Sequence, residues 1–363
     1  MSRPGATAIG SAAPRPRVAP RKALVAAALA ALLALAAVLS LTHGAAPIAP
    51  RRALEILLRF LTGQAGDGAP DTLIVLQIRL PRLLLALVIG GSLGLSGALM
   101  QGLFGNPLAD PGLVGVSSGA GAAAAAAIVL GDRLAAGWTG VSTFTLLPAA
   151  AFLGALAMTV TLYLVSTRRG RTSVATMMLA GIALGALASA LTGVLAYVSD
   201  DRQLRDLTFW SMGSLGGATW AKAAVLAPIG LVLIAASPFL ARGLNALALG
   251  EAEAFHLGVR VQRLKAAAIF LVAVAVGASV AAAGVISFVG IVAPHLVRLL
   301  LGPDHRALLP LSLIAGAAIL TGADVLARTV AAPAEMPIGI LTAALGAPFF
   351  LWLLMRRRGA ALE

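Results

Sequence analysis

The chain has 363 residues, of which 60% are hydrophobic and only 11% charged, about half the charged fraction of a soluble domain. It contains no cysteine, which excludes a disulfide scaffold, a thiol nucleophile and a thiolate metal site. The net charge of +13 comes almost wholly from arginine in short segments between apolar runs, a pattern explained better by the positive-inside rule than by nucleic-acid binding.

Residues 1–22 (MSRPGATAIGSAAPRPRVAPRK) mix Pro, Ala and Arg without a helical period and read as a disordered tail. The Ala/Leu-rich run 23–41 is long for a signal-peptide core and is read as a retained first span. Further apolar runs follow at about 81–103, 112–131, 145–167, 174–197, 220–241, 264–283, 308–328 and 337–355, each near the ~20 residues that cross a hydrocarbon core. Short alternating segments, the mark of a membrane β-barrel, are missing. The expected fold is therefore all-α and polytopic. A transmembrane domain covers 23–358 with an inside loop at 242–263, and a short tail covers 359–363.

One stretch, 288–300, is short for a span. With the N-terminus inside, the inside segments hold seventeen of the 27 basic residues, ending with Arg356, Arg357 and Arg358. If 288–300 did not cross, those three arginines would lie outside, directly after a span, against the charge rule. The prediction is ten helices with both termini on the cytoplasmic side. Gly90 with Gly94, Gly115 with Gly119 and Gly181 with Gly185 have the spacing that lets helix backbones approach closely.

No Gly-Lys pair occurs, so there is no P-loop. His43, His256, His295 and His305 lack metal-ligand spacing, and no metal site is expected. A lone carrier coupled to protons or sodium usually keeps ionisable groups or broken helices at the midplane, and a membrane-embedded enzyme needs a nucleophile–base pair. Neither signal is present. Asp324 and Arg328, four residues apart near a helix end, are placed to pair with each other.

Three motifs stand out. In QIRLPR, Arg79 and Arg82 share a helix face at the outer mouth of a span. They are either snorkelling interfacial residues or a presented cationic patch for a partner's carboxylates. In MQGLFGNPLADPGLVGVSSGAG an Asn-Pro…Asp-Pro-Gly turn joins two spans, as a well-built loop or as a gate. RGLNALALGEAEAFHLGVR, the longest inside loop, suggests short helices around Gly250 that dock on another protein or rest on lipid headgroups.

These stretches, with LRDLTFWSMGSLGG, GVISFVGIVAPHLVRLLLGPDHRALLP, GADVLAR and PAEMPIGILTAALGAPFFLWLL, resemble the permease subunits of ABC importers for iron-siderophores, haem and vitamin B12. The likeness runs from about Leu73 to Leu354. It implies a type II importer permease of about ten helices in a bacterial inner membrane. It also implies a homodimer with the cargo path on its axis, two cytoplasmic ATPase subunits that bind ATP and Mg, and a periplasmic binding protein. By the same resemblance, Arg79, Arg82 and Arg328 would dock glutamates of the binding protein, and Asn106 and Leu108 would form the cytoplasmic gate. Leu249, Gly250, Glu251, Ala254, Leu257 and Gly258 would belong to the segment that couples to the ATPase. The chain itself would bind no cofactor and catalyse no bond chemistry. The segment 199–217 most resembles the haem-import branch, with Arg202 and Arg205 placed to steer propionates; a ferric siderophore or cobalamin also fits a wide, weakly binding path.

Overall fold

A computed structural model describes residues 18–64, 68–135 and 143–359. Helices α1 (Val18–Thr42), α2 (Pro50–Leu61), α3 (Pro70–Leu73) and α4 (Leu80–Phe104) come first. A π-helical segment, Ile74–Arg79, fuses α3 and α4 into one helix from Pro70 to Phe104. A short 3₁₀ turn at Pro111–Val114 leads into α5 (Val116–Ala135) and α6 (Thr143–Ser166). A two-stranded hairpin, β1 (Thr167–Arg168) and β2 (Arg171–Thr172), precedes α7 (Val174–Tyr197), α8 (Asp201–Ser211) and α9 (Trp220–Leu247). The chain ends with α10 (Glu251–His256), α11 (Val261–Ala283), α12 (Val289–Leu301), α13 (His305–Thr329) and α14 (Ile338–Gly359).

Among the described residues, seven helices are long and apolar enough to cross a membrane, and three shorter apolar helices, Val116–Gly131, Val289–Leu301 and Ile338–Leu351, bring the number to the expected ten. Boundaries shift at several spans, and two of the shifts bear on the tail and on the site. Helix α1 takes in residues 18–22, which the sequence assigns to the tail; residues 1–17 and 360–363 lie outside the described residues. The second span starts at Pro70 rather than at about residue 81, because Arg79 and Arg82, read as marking its watery end, are buried within the helix bundle.

Burial sorts the helices into layers. In α4, 83% of the spanning window is buried, in α13 72% and in α11 67%, whereas in α1 and α7 it is 17%. The first three form the core and the others face outward with apolar side chains, as a bilayer-embedded bundle requires. Small residues set the spacing: a Cβ on Gly90 or Gly94 would run into the α13 backbone at Gly316 or Ser312. Gly97 meets the carbonyl of Gly290 in α12, and Gly119 that of Gly154 in α6. Gly185, in contrast, has only the Ser118 hydroxyl nearby, at ordinary contact distance.

Helix ends follow local chemistry. Ser173, Asp200, Thr219 and Asp304 accept backbone N–H bonds at helix starts, and Asp200 with Gln203 completes a capping box. Backbone bonds from Ser214 to Ala283 (2.7 Å), Ile338 to Gly213 (3.1 Å) and Gly339 to Met212 (3.0 Å) gather the loops of one end of the bundle.

Candidate functional site

At that end Arg79, Arg82 and Arg328 come together. The sequence leaves open a presented patch, but the three are only 4%, 5% and 8% exposed. Two of them close the C-terminus of α1. Arg79 donates to the carbonyls of Leu41 (2.7 Å) and Ala46, and Arg328 to those of Ser40 (3.2 Å) and His43 (3.3 Å) and to the Ser40 hydroxyl (3.1 Å). Helix C-termini leave carbonyls unbonded and carry partial negative charge, so cations settle there. The loop can approach because Gly44, at φ +152°, carries no side chain; a Cβ would sit 3.2 Å from Arg79 Nη2.

Arg82 is held differently. Its Nε donates to Asp324 Oδ1 at 2.9 Å and its Nη1 to both Glu335 oxygens at 2.8 and 3.0 Å. Asp324, wholly buried, also faces Arg328: Nε lies 3.2 Å from Oδ2, although its N–H points to the Asp324 carbonyl. The expected Asp324–Arg328 pairing is present, but as part of a four-residue network of Arg82, Arg328, Asp324 and Glu335, with Arg79 beside it. A cavity of about 240 Å³, lined by the three arginines, Glu335, Pro333 and the 44–46 loop, opens onto it. Pro81, which lacks an N–H and clashes with the preceding turn of a regular α-helix, is accommodated by the wider π turns just before it. Trp220 Nε1 donates to the Leu76 carbonyl of that segment (3.0 Å) and stacks on Phe60.

Arg202 and Arg205 lie exposed on α8, outside this network; Arg202 faces Asp206 at 4.0 Å. Gln203 Nε2 fastens the helix to the Val129 carbonyl (3.3 Å).

The opposite end carries the other two motifs. Asn106 Oδ1 accepts the Leu108 N–H (3.0 Å), and Asp110 Oδ1 that of Gly112 (2.6 Å). Burial holds the Asp110 carboxyl above its ordinary range, against the opposing Gly112 bond. With Gly105 and Gly115 at positive φ, these bonds make 105–115 a stiff turn. Pro111 packs onto Gly290 of α12, so the turn rests on a neighbouring helix.

In the 242–263 segment α9 continues to Leu247, and the chain then folds through Gly250 (φ +125°), α10 and Gly258 (φ +82°). The expected short helix is present. Ala254 is buried against Ala246 and Val261, while Leu249, Phe255 and Leu257 are exposed. Lys265, only 1% exposed, holds the elbow: Nζ donates to Glu251 (2.5 Å) and to the Thr172 carbonyl of the hairpin (2.8 Å). Gln262 accepts the Thr172 N–H (2.9 Å). Beside the elbow lies a cavity of about 640 Å³, lined by Glu251, Phe255, Arg171, Arg260 and Arg263.

At the same end Lys22 and Asn245 both reach Asp304 (3.0 and 2.8 Å), and Asn245 also accepts from the His305 backbone. His305 is the buried first residue of α13, seated where Gly102 leaves room for its ring. His295 is buried too, edge-on to Phe349, consistent with a packing role. Sequence reasoning passed over Glu335, Lys265, Asn245 and Lys22. The three charged residues looked like ordinary residues at the ends of spans.

The FecCD transport family profile matches residues 32–356. The hemin transport system permease protein of Yersinia pestis is 48% identical over 78% of this chain and 83% of its own length. The cobalamin import permease of Halobacterium salinarum is 44% identical over 81% and 77%, and the vitamin B12 import permease of Klebsiella pneumoniae 44% over 80% and 85%. A solved inward-facing metal-chelate type ABC transporter superposes with a TM-score of 0.77 at 33% identity, covering 92% of this chain and 99% of its own.

Proposed function

The chain belongs to the FecCD transport family as an ABC importer permease, and on that premise we propose that it carries haem from the periplasm to the cytoplasm. The observation that carries the cargo assignment is the 48% identity to the hemin permease. Cobalamin is the second reading, supported by 44% identity to two cobalamin permeases over similar spans.

In this reading two copies of the chain enclose the path, both termini are cytoplasmic, and the arginine end faces the periplasm. A binding protein brings cargo to that end through carboxylates aimed at Arg79, Arg82 and Arg328. Two cytoplasmic ATPase subunits hold ATP and Mg and grip the 249–258 elbow through its exposed Leu249, Phe255 and Leu257. Closure of the ATPases pulls the elbow, Lys265 and the hairpin pass the displacement to α11 and α6, and the Asn106–Leu108 turn opens or shuts the inner mouth. The exposed Arg202 and Arg205 attract anionic cargo toward the outer mouth. An apolar, weakly holding path releases what it admits.

The test is ATP-dependent uptake by vesicles carrying the assembled complex, with hemin, a ferric siderophore and cobalamin compared. Preferential hemin uptake is expected. Preference for either competitor overturns the cargo assignment, and uptake by the permease without its ATPase overturns the importer mechanism.

A further inference from the structure

Glu335 fills the place on Arg82 that a partner's carboxylate would need. Two donors of Arg82 already have fixed ends: Nε is on fully buried Asp324, and Nη1 is on Glu335. The two acids differ in setting. Asp324 sits inside α13, whereas Glu335 lies on the connection between α13 and α14 with its side chain 46% exposed. We infer that Glu335 is an internal stand-in for the docking carboxylate, displaced from Arg82 when the binding protein arrives. This rests on the docking role assigned above to the arginines.

Charge makes the exchange feasible. Arg82 is nearly dry, and a guanidinium left there without its second anion would be costly. An incoming carboxylate carries the same charge and planar shape as the one it replaces, so the site stays balanced throughout. The cavity over the network provides the approach.

Displacement also has somewhere to go. Three residues beyond Glu335, at Ile338, the chain enters α14 through backbone bonds to Gly213 and Met212, and Glu335 itself lies against Gly216. Releasing Glu335 therefore frees the strap joining α13, α14 and the α8–α9 loop. Docking would be felt by those helices without any binding-protein residue touching them.

The experiment measures the affinity of the assembled importer for the binding protein of the same transport system. Glu335→Gln should dock about tenfold more tightly, since no internal anion competes. Glu335→Asp, which keeps the charge but shortens the reach, should fall between and serves if the glutamine variant does not fold. The paired change Arg82→Gln with Glu335→Gln keeps the charge balanced and should lose docking. Unchanged or weaker docking by Glu335→Gln, with loss in the paired variant, overturns the inference and leaves the docking role standing. Wild-type docking by the paired variant overturns the docking role of Arg82 itself. Because the chain has no cysteine, Ala334→Cys accepts a single fluorophore. Its emission should change when the binding protein is added, and a silent label also overturns the inference.

Discussion

Asp324 and Arg82 stand 242 positions apart in the chain and meet in a 2.9 Å ion pair with Asp324 fully buried. Through that pair α4 and α13, already packed backbone to backbone at Gly90 and Gly316, are tied together again at their ends. Removing the carboxylate leaves Arg82 and Arg328 in the same buried site with one anion, Glu335, which is bonded to Arg82. Asp324→Asn should destabilise the fold by about 3–5 kcal/mol, the usual result of breaking a buried pair by one partner. Denaturation in detergent, compared with wild type, measures it.

Gly97→Ala should be more damaging than its single methyl suggests. The new Cβ would meet the Gly290 carbonyl, and backbone cannot move aside as a side chain can. A loss of at least about 1–3 kcal/mol is expected. Gly121→Ala is the control: nothing lies within 4 Å of its Cβ position, and alanine favours a helix by up to about 1 kcal/mol. Melting temperatures of the two variants should move in opposite directions.

Lys265→Met should separate nucleotide hydrolysis from transport. The change orphans the Thr172 carbonyl and frees Glu251, loosening the elbow at a cost of about 2 kcal/mol. ATPase activity of the assembled importer should persist while uptake falls several-fold. Normal uptake per ATP would remove Lys265 from the coupling route.

The Lys22–Asp304 contact should show itself in acid. Burial alone would raise the Asp304 carboxyl, but hydrogen bonds from Asn245, Lys22 and the Arg306 N–H outweigh it and hold it at about 2. A depressed carboxyl contributes stability that is complete above its unfolded value near 3.8 and disappears as pH falls through about 2. Thermal stability of the wild type should therefore fall over that window more than that of Asp304→Asn, which has no such group. The effect should be modest, since both side chains are more than a third exposed.

Much of the architecture was legible because ten apolar runs and the arginines between them state both number and order. The family motifs also mark which segments matter. What the residues do there was less visible. QIRLPR looks like a span boundary, because isolated arginines belong in water; only distant partners, the carbonyls ending α1 for Arg79 and the acids Asp324 and Glu335 for Arg82, let the helix continue past them. Glu335 sits in a short connection, where an acid is unremarkable until a buried arginine is seen beneath it. Lys265 is one more basic residue on the inside, and nothing local announces that it reaches Glu251 and a hairpin carbonyl. Spacing reports which residues share a face of one helix. Partners supplied by other helices have no counterpart in it.

The helix from Pro70 to Phe104 has 35 residues, about 52 Å at 1.5 Å per residue, against a hydrocarbon layer of about 30 Å. Even a 40° lean, the steep limit for such helices, leaves about 10 Å clear of the oil. Braced there by Trp220, that surplus works like a pier standing above the waterline. Its deck height is set by protein rather than by the lipid around it, so reconstitution into bilayers of thinner or thicker acyl chains should leave the position of Pro70 relative to Trp220 unchanged.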